Sequence, residues 1–215
     1  MHVVRIIFFF NLLTLIGCNN YSNEKPVDFQ PLTLDGSRDV LSEIAADFNP
    51  EKKFDYWACI RSGFPYDNSI SILYETKKDL YTVDDFKLLN EGFYNIGHHS
   101  HRAYYLITIK DGHIDYITEM DKLLTFFGEI DTMEEALMIA IKNGFGVDFH
   151  NPEGGSYRRT KDGFEFLLRV SAPLPKIEFI QYWVKVDEEG NVSSKERHSY
   201  CFSMCECYKV GCENE

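Results

Sequence analysis

RAYYLITIKDGHIDYIT, residues 102–118, is the most informative stretch of this 215-residue sequence. The β-branched and aromatic residues on both sides of Asp111-Gly112 favour extended strands. Asp-Gly is a preferred pair for a two-residue turn because both positions of that turn require a positive φ. The stretch therefore predicts an antiparallel hairpin with strands at 102–110 and 113–118.

The same patterns continue in both directions from this hairpin. Further strands are predicted at 54–61 and 69–76, as a second hairpin, and at about 156–160, 164–171, 177–186 and from about 192 to 200. Helices are predicted at 39–48, 83–94 and 120–127, and from Asp131 or Thr132 to a stop at Gly144. The predicted fold class is α+β, with a mainly antiparallel sheet, two to four helices packed on it and a cysteine-rich C-terminal tail.

Two parts of the chain share an order of elements. Residues 82–118 and 131–199 both run helix, strand, Asp-Gly turn and strand, which indicates a loose internal repeat. The second part resembles the PepSY-type module, a small α+β unit of exported bacterial proteins and propeptides. The resemblance lies in the helix start at 131–136, the Asp162-Gly163 turn and the strand at 182–192. It carries no catalytic residue with it.

The N-terminus has the features of a secretory signal over residues 1–17, with an apolar run at 6–16. Eleven helical residues reach only about 16 Å, which is short of the roughly 30 Å of a bilayer's hydrocarbon. The run ends in Leu15-Ile16-Gly17-Cys18, which resembles the lipobox of bacterial lipoproteins. That resemblance implies cleavage before Cys18 and attachment of palmitate-type acyl chains to it, and Asn19 in the next position implies the outer membrane. An ordinary secretory signal followed by a cysteine is the alternative.

Residues 18–34 are polar and contain two prolines, so they predict a flexible tether behind the acylated cysteine. Residues 35–215 are then predicted to form a single α+β domain. This size is sufficient for one substantial core.

The chain is acidic, with 22 Lys and Arg against 34 Asp and Glu and a net charge of −12. No compact stripe of lysine and arginine stands out in the sequence. Such a chain repels phosphate backbones, so nucleic acid is not expected as a partner. On the same reasoning, we expect the acyl chains rather than the protein's charge to hold it at a membrane.

Five cysteines follow the predicted lipidation site, and in an exported protein they can form disulfides. They are Cys59, Cys201, Cys205, Cys207 and Cys212. Cys205 and Cys207 are too close in sequence to bridge each other easily. The favoured pairings in the tail are therefore 201–205 with 207–212, or 201–207 with 205–212, and a bridge from Cys59 to the tail is a further possibility. Four thiolates this close together are also a donor set for Zn(II) or Cu(I).

A histidine cluster at 98–101 is a second candidate metal site. In an extended segment His99 and His101 project from one face and can bind a metal together, with a third ligand that the sequence does not identify. A solvated entry to the strand at 102 is the alternative.

Three pairs of adjacent aromatic residues lie in predicted strands: Tyr56-Trp57, Tyr104-Tyr105 and Tyr182-Trp183. Because neighbours on a strand point to opposite faces, we expect one member of each pair in the core and the other partly exposed. An exposed member can form a platform for a sugar or a peptide.

The sequence contains no G-x-S-x-G, H-E-x-x-H, Walker or dinucleotide-binding glycine motif, so no catalytic residue and no cofactor is predicted. The predicted function is that of a membrane-anchored envelope lipoprotein acting as a non-enzymatic binding or interaction module for an envelope protein, a peptide or a glycan. Two alternatives are an immunity- or inhibitor-type lipoprotein against a toxin or protease, and a metal-handling lipoprotein.

Overall fold

A computed structural model describes residues 28–34, 39–63, 69–93, 102–172 and 178–201. The predicted signal peptide, Cys18, most of the tether, the candidate ligands His99 and His101, and the tail with Cys205, Cys207 and Cys212 lie outside these residues. Within the described ranges no helix combines the length and the apolar character needed to cross a bilayer.

The described residues form nine strands and three α-helices. In chain order they are β1 (Gln30–Pro31), α1 (Val40–Ile44), β2 (Tyr56–Gly63), β3 (Ile70–Glu75), β4 (Arg102–Lys110), β5 (His113–Ile117), α2 (Met120–Phe127), α3 (Met133–Lys142), β6 (Gly155–Thr160), β7 (Gly163–Ser171), β8 (Glu178–Asp187) and β9 (Val192–Cys201). Two short 3₁₀ turns lie at Ala45–Asp47 and Val83–Asp85. The mixture of helices and antiparallel strands confirms the predicted α+β class in outline.

The strands form two sheets, where the sequence predicted one. Sheet A has the order β1-β6-β7-β8-β9 and sheet B has the order β3-β2-β4-β5. Every neighbouring pair of strands in both sheets is antiparallel.

Local signals in the sequence account for the hairpin and the longest helix. Asp111 and Gly112 adopt φ of 51° and 74°, as the two-residue turn between β4 and β5 requires. Helix α3 begins after Thr132, whose side chain accepts the Glu135 backbone N–H at 3.2 Å, and it stops before Gly144 at φ 92°. The predicted hairpin at 102–118 and the predicted helix ending at Gly144 are therefore confirmed.

Helix α3 lies at the centre of the molecule. Residues 135–141 are buried on every side of the helix, as expected for a helix surrounded by other elements. It contacts β7 and β8 of sheet A as well as α1 and α2. Buried side chains of both sheets and of α3 belong to one continuous hydrophobic core.

The predicted helix at 83–94 is wrong over its described part. The chain makes a single 3₁₀ turn at Val83–Asp85 and is then irregular as far as Phe93. Its apolar residues pack against sheet B instead, with Phe86 and Phe93 both buried. Side chains of the sheet satisfy its backbone, because Tyr105 donates to the Lys87 carbonyl at 3.0 Å and the Lys87 N–H donates to Tyr116 at 2.9 Å. We call residues 76–93 the cover segment.

The cover segment also explains why the predicted exposure of the aromatic pairs is wrong for sheet B. Both members of the pairs Tyr56-Trp57 and Tyr104-Tyr105 are buried. One face of sheet B packs on the helices, where Trp57 meets Phe126 at 5.4 Å between ring centroids, and the other lies under the cover segment. In sheet A, by contrast, Tyr182 and Trp183 are both half-buried.

Candidate functional site

Sheet A has one face in the core and one face directed away from it. Its core face carries an apolar set that packs with α3: Phe164, Phe166, Leu168, Val184 and Val186. Residues paired directly across neighbouring strands point to the same face, and Arg158 pairs with Glu165, Glu165 with Lys185, and Trp183 with Lys195. These side chains alternate with the core set and so lie together on the outer face. We define the basic aromatic face as Phe29, Arg158, Glu165, Trp183, Lys185, Lys195 and Arg197.

Trp183 is at the centre of the basic aromatic face. Phe29, which precedes β1, meets the indole edge-on with ring centroids 5.8 Å apart. The Arg158 guanidinium lies 4.9 Å from the Phe29 centroid and 5.3 Å from the Trp183 centroid, and that of Arg197 lies 6.0 Å from the Trp183 centroid. Leu167, opposite Trp183 in register, is buried. Cation–π contacts of this kind hold both arginines over the indole.

The charges on the face are unevenly paired. Arg158 donates to Oε2 of Glu165 through Nε at 2.8 Å and Nη2 at 2.6 Å, so these two side chains neutralise each other. Among the described residues, no carboxylate lies within ion-pair distance of Lys185 or Lys195. The acidic turn at 187–189 borders the face at one end. The face is therefore positive around Lys185 and Lys195, although the whole chain has a net charge of −12.

This concentration of positive charge is not apparent in the sequence. Its four cations come from β6, β8 and β9 and are spread from position 158 to position 197, so no run of basic residues reveals them. The signal that was present is the spacing of two residues between Trp183 and Lys185 and between Lys195 and Arg197, because such pairs share one face of a strand.

A loop at 145–154 closes the other end of the outer face. Asp148 is buried there, and its Oδ1 accepts the backbone N–H groups of His150 and Asn151 at 3.1 and 3.2 Å. Its Oδ2 accepts the Tyr200 hydroxyl at 3.2 Å. Burial, together with the nearby Asp148 carboxylate, raises the pKa of Tyr200, so Tyr200 stays protonated and acts as a donor.

Gln181 and His198 complete this closed corner. The Gln181 side chain is 1% exposed and donates to the Glu153 backbone carbonyl, while the His198 Nε2 lies 3.6 Å from the Glu153 carboxylate. In the part of the chain that the structure describes, no three side chains of His, Cys, Asp or Glu are grouped as metal ligands. These contacts attach the loop to β8 and β9 and so stabilise this end of sheet A.

A second polar cluster lies where α1 meets sheet B. Asp39 directly precedes α1, and its Oδ2 accepts the Tyr104 hydroxyl at 2.7 Å and pairs with Arg61 at 3.4 Å. Arg61 also donates to Ser71 at 3.3 Å. The cluster ties α1 to β2, β3 and β4, and its carboxylate is mostly buried.

Cys59 lies on β2 beside this cluster. Among the described residues it is a free, buried cysteine. Since Cys205, Cys207 and Cys212 lie outside those residues, a bridge from Cys59 to the tail stays a prediction. Burial raises the pKa of the Cys59 thiol, and the nearby Asp39 charge raises it further, so the unreactive thiol form is favoured. The tail pairings, the lipidation of Cys18 and the metal site at His99 and His101 fall outside the described residues and stay predictions.

Comparison of the chain with models of protein families, with curated proteins and with solved structures finds no match.

Proposed function

We propose that this protein is an exported lipoprotein, cut before Cys18 and anchored by that acylated cysteine at the outer membrane, where it acts as a non-enzymatic binding module. The observation that carries the proposal is the basic aromatic face, a positively charged surface on an acidic chain. Charge of opposite sign to the rest of the molecule selects and orients an anionic ligand.

The chemistry of the face defines the ligand class. Lys185 and Lys195 offer ammonium donors, and Trp183, with the Arg197 guanidinium over its ring, adds an apolar surface between them. An exposed ion pair contributes only up to about 1 kcal/mol, so one anionic group is insufficient for useful affinity. The face therefore suits a ligand or surface that presents several phosphate or carboxylate groups at once.

A matched pair of charge reversals tests this function. We expect Lys195→Glu with Arg197→Glu to weaken binding of the lipidated protein to polyglutamate, measured in neutral detergent, about tenfold or more, since each cation contributes roughly 1 kcal/mol. Lys77→Glu with Lys78→Glu makes the same change in net charge at an exposed turn after β3 and is the control. Equal weakening by both pairs would show that net charge, and not the face, attracts the ligand.

The anchor and the tail are part of the same proposal, and intact mass measures both. We expect the membrane-extracted protein to have the mass of residues 18–215 plus acyl chains, and Cys18→Ala to abolish the lipid mass. We also propose that the cysteine-rich tail forms two disulfides, which alkylation before and after reduction will count. An unacylated chain would contradict the proposed localisation.

A further inference from the structure

We infer that the ligand of the basic aromatic face is the anionic headgroup layer of the membrane that holds the lipid anchor. This inference rests on the proposed function and names the occupant of the same surface. It makes the protein a lipoprotein with a defined orientation, with the outer face of sheet A directed toward the lipid and sheet B directed away from it.

The chain enters the fold at the basic aromatic face. Phe29, the second described residue, packs on Trp183 and Arg158 and is itself part of the face. Nine residues lie between Cys18 and Asp28, and the ten residue steps between them span at most about 35 Å when fully extended and roughly 18 Å as a flexible coil. An anchor at Cys18 therefore keeps the point where the chain enters this face within about 35 Å of the bilayer.

The basic aromatic face and the rest of the chain carry charges of opposite sign. The face presents four cationic side chains and one carboxylate, while the chain as a whole carries 34 Asp and Glu against 22 Lys and Arg. An anionic surface attracts Lys185, Lys195 and Arg197 and repels the acidic remainder. Both forces turn the tethered body the same way.

The face also contains aromatic residues that suit a lipid surface. Trp183 is half-buried and Phe29 lies against its edge, so an indole and a phenyl ring stand among the cations. Tryptophan is enriched at the level of lipid headgroups, where its amphipathic ring is stable. A basic patch with aromatic residues supplies the second binding signal that makes a lipid anchor stable at a surface.

An acidic soluble partner has the same charge as the headgroups. Such a partner must compete with headgroups that the tether keeps within about 35 Å of the point where the chain enters the face. The headgroup layer is present wherever the anchor is inserted, at a high local concentration. The observations therefore favour the lipid surface over a soluble acidic ligand. The vesicle experiment below distinguishes the two.

Trp183 provides the measurement, because the second tryptophan, Trp57, is buried. The full-length lipidated protein is inserted into vesicles of phosphatidylcholine alone or of phosphatidylcholine and phosphatidylglycerol in equal parts. In the anionic vesicles we expect a blue shift of the Trp183 emission and quenching by a headgroup nitroxide lipid. Both effects disappear in high salt, because the Debye length falls to about 3 Å at 1 M. Trp183→Phe identifies the part of the signal that belongs to Trp183.

The charge reversals decide between the outcomes. Lys195→Glu with Arg197→Glu is expected to lose the blue shift and the lipid quenching in anionic vesicles, and Lys77→Glu with Lys78→Glu is expected to keep them. Identical Trp183 spectra in the two kinds of vesicle, with polyglutamate binding intact, overturn the membrane inference and leave the proposed function standing. If the unmodified protein shows neither the change in Trp183 emission in anionic vesicles nor binding to polyglutamate, both the membrane inference and the proposed function are wrong.

Discussion

Sheets A and B share one hydrophobic core and differ in what covers their second faces. In sheet B the cover segment lies across the face that the helices leave open, and the aromatic residues of β2 and β4 are buried on both sides. In sheet A the loop at 145–154 covers only one end, and Trp183 with its neighbouring cations remains accessible. The difference leaves the outer face of sheet A, and not sheet B, as the surface on which the proposed binding function rests.

The two sheets also use their charges differently. In sheet B, Asp39 is mostly buried and accepts from Tyr104 and Arg61, so its charge serves to fix α1 in place. In sheet A, Arg158 and Glu165 neutralise each other, while Lys185 and Lys195 have no described carboxylate partner. Only the second arrangement leaves charge for a ligand.

The largest expected effect comes from removing an aromatic ring from each sheet in turn. Tyr105→Ala removes a fully buried ring and should lower the free energy of unfolding by about 3–5 kcal/mol. Trp183→Ala removes a half-buried ring and its cation–π contacts, and about 1–2 kcal/mol is expected. Urea unfolding measures both, and equal losses would show that the outer face of sheet A is as well packed as sheet B.

The next effect concerns Glu135, a buried carboxylate on the helix between the sheets. Its two oxygens accept the backbone N–H groups of Asn49, Asp131 and Thr132 at 2.8, 3.2 and 3.4 Å. Glu135→Ala leaves these three N–H donors unpaired and should lower the free energy of unfolding by about 3 kcal/mol. Each buried unpaired donor costs about 1–3 kcal/mol, and some of the three can bind water instead. Glu134→Ala, one position earlier, is the control for the loss of a carboxylate from the same helical turn.

Glu135 also makes stability depend on pH. Burial raises the pKa of this carboxyl above its ordinary value of 4.5, against the opposing effect of its N–H donors. The folded protein then binds the proton more tightly than the unfolded chain, so this contribution is full below pH 4.5 and is lost as pH rises through the folded-state pKa. Relative to Glu135→Gln, the unmodified protein should lose stability over that rise. A gain would show that the N–H donors dominate.

A smaller effect tests the attachment of the cover segment. A Cβ on Gly92 would collide with the Tyr104 backbone carbonyl, which accepts the Phe93 N–H at 2.6 Å. Gly92→Ala should therefore displace the segment from β4 and cost about 1–3 kcal/mol. Leu88→Ala, on the same segment but 37% exposed, should cost less than about 1 kcal/mol. If hydrogen exchange in β4 is unchanged in Gly92→Ala, the segment does not depend on this contact.

The smallest effect is chemical and leaves stability unchanged. Because burial raises the pKa of Cys59 and shields its sulfur, we expect no alkylation of Cys59 in the reduced, folded protein. The cysteines of the tail should react under the same conditions, and Cys59 should react only in denaturant. Mass spectrometry of the labelled peptides measures this, and rapid labelling of Cys59 would mean that sheet B opens.

Several elements were predictable because their causes are local. The hairpin at 102–118 follows from Asp111-Gly112, and helix α3 follows from Thr132, Glu135 and Gly144. The predicted helix at 83–94 failed although its capping signal was real, since Thr82 and Asp85 do form a capping box. Its apolar residues found a better place on sheet B, and packing of that kind overrides a weak local preference.

The sequence by itself determined most of the strands, helices α2 and α3, the turns and the acidic charge, because each depends on neighbouring residues or on composition. Only the tertiary structure decided that the strands divide into two sheets, that the cover segment closes one of them, and that Arg158, Lys185, Lys195 and Arg197 share an open face. The physical reason is that strand register and the covering of a face depend on residues far apart in the chain, whose contacts no local pattern records.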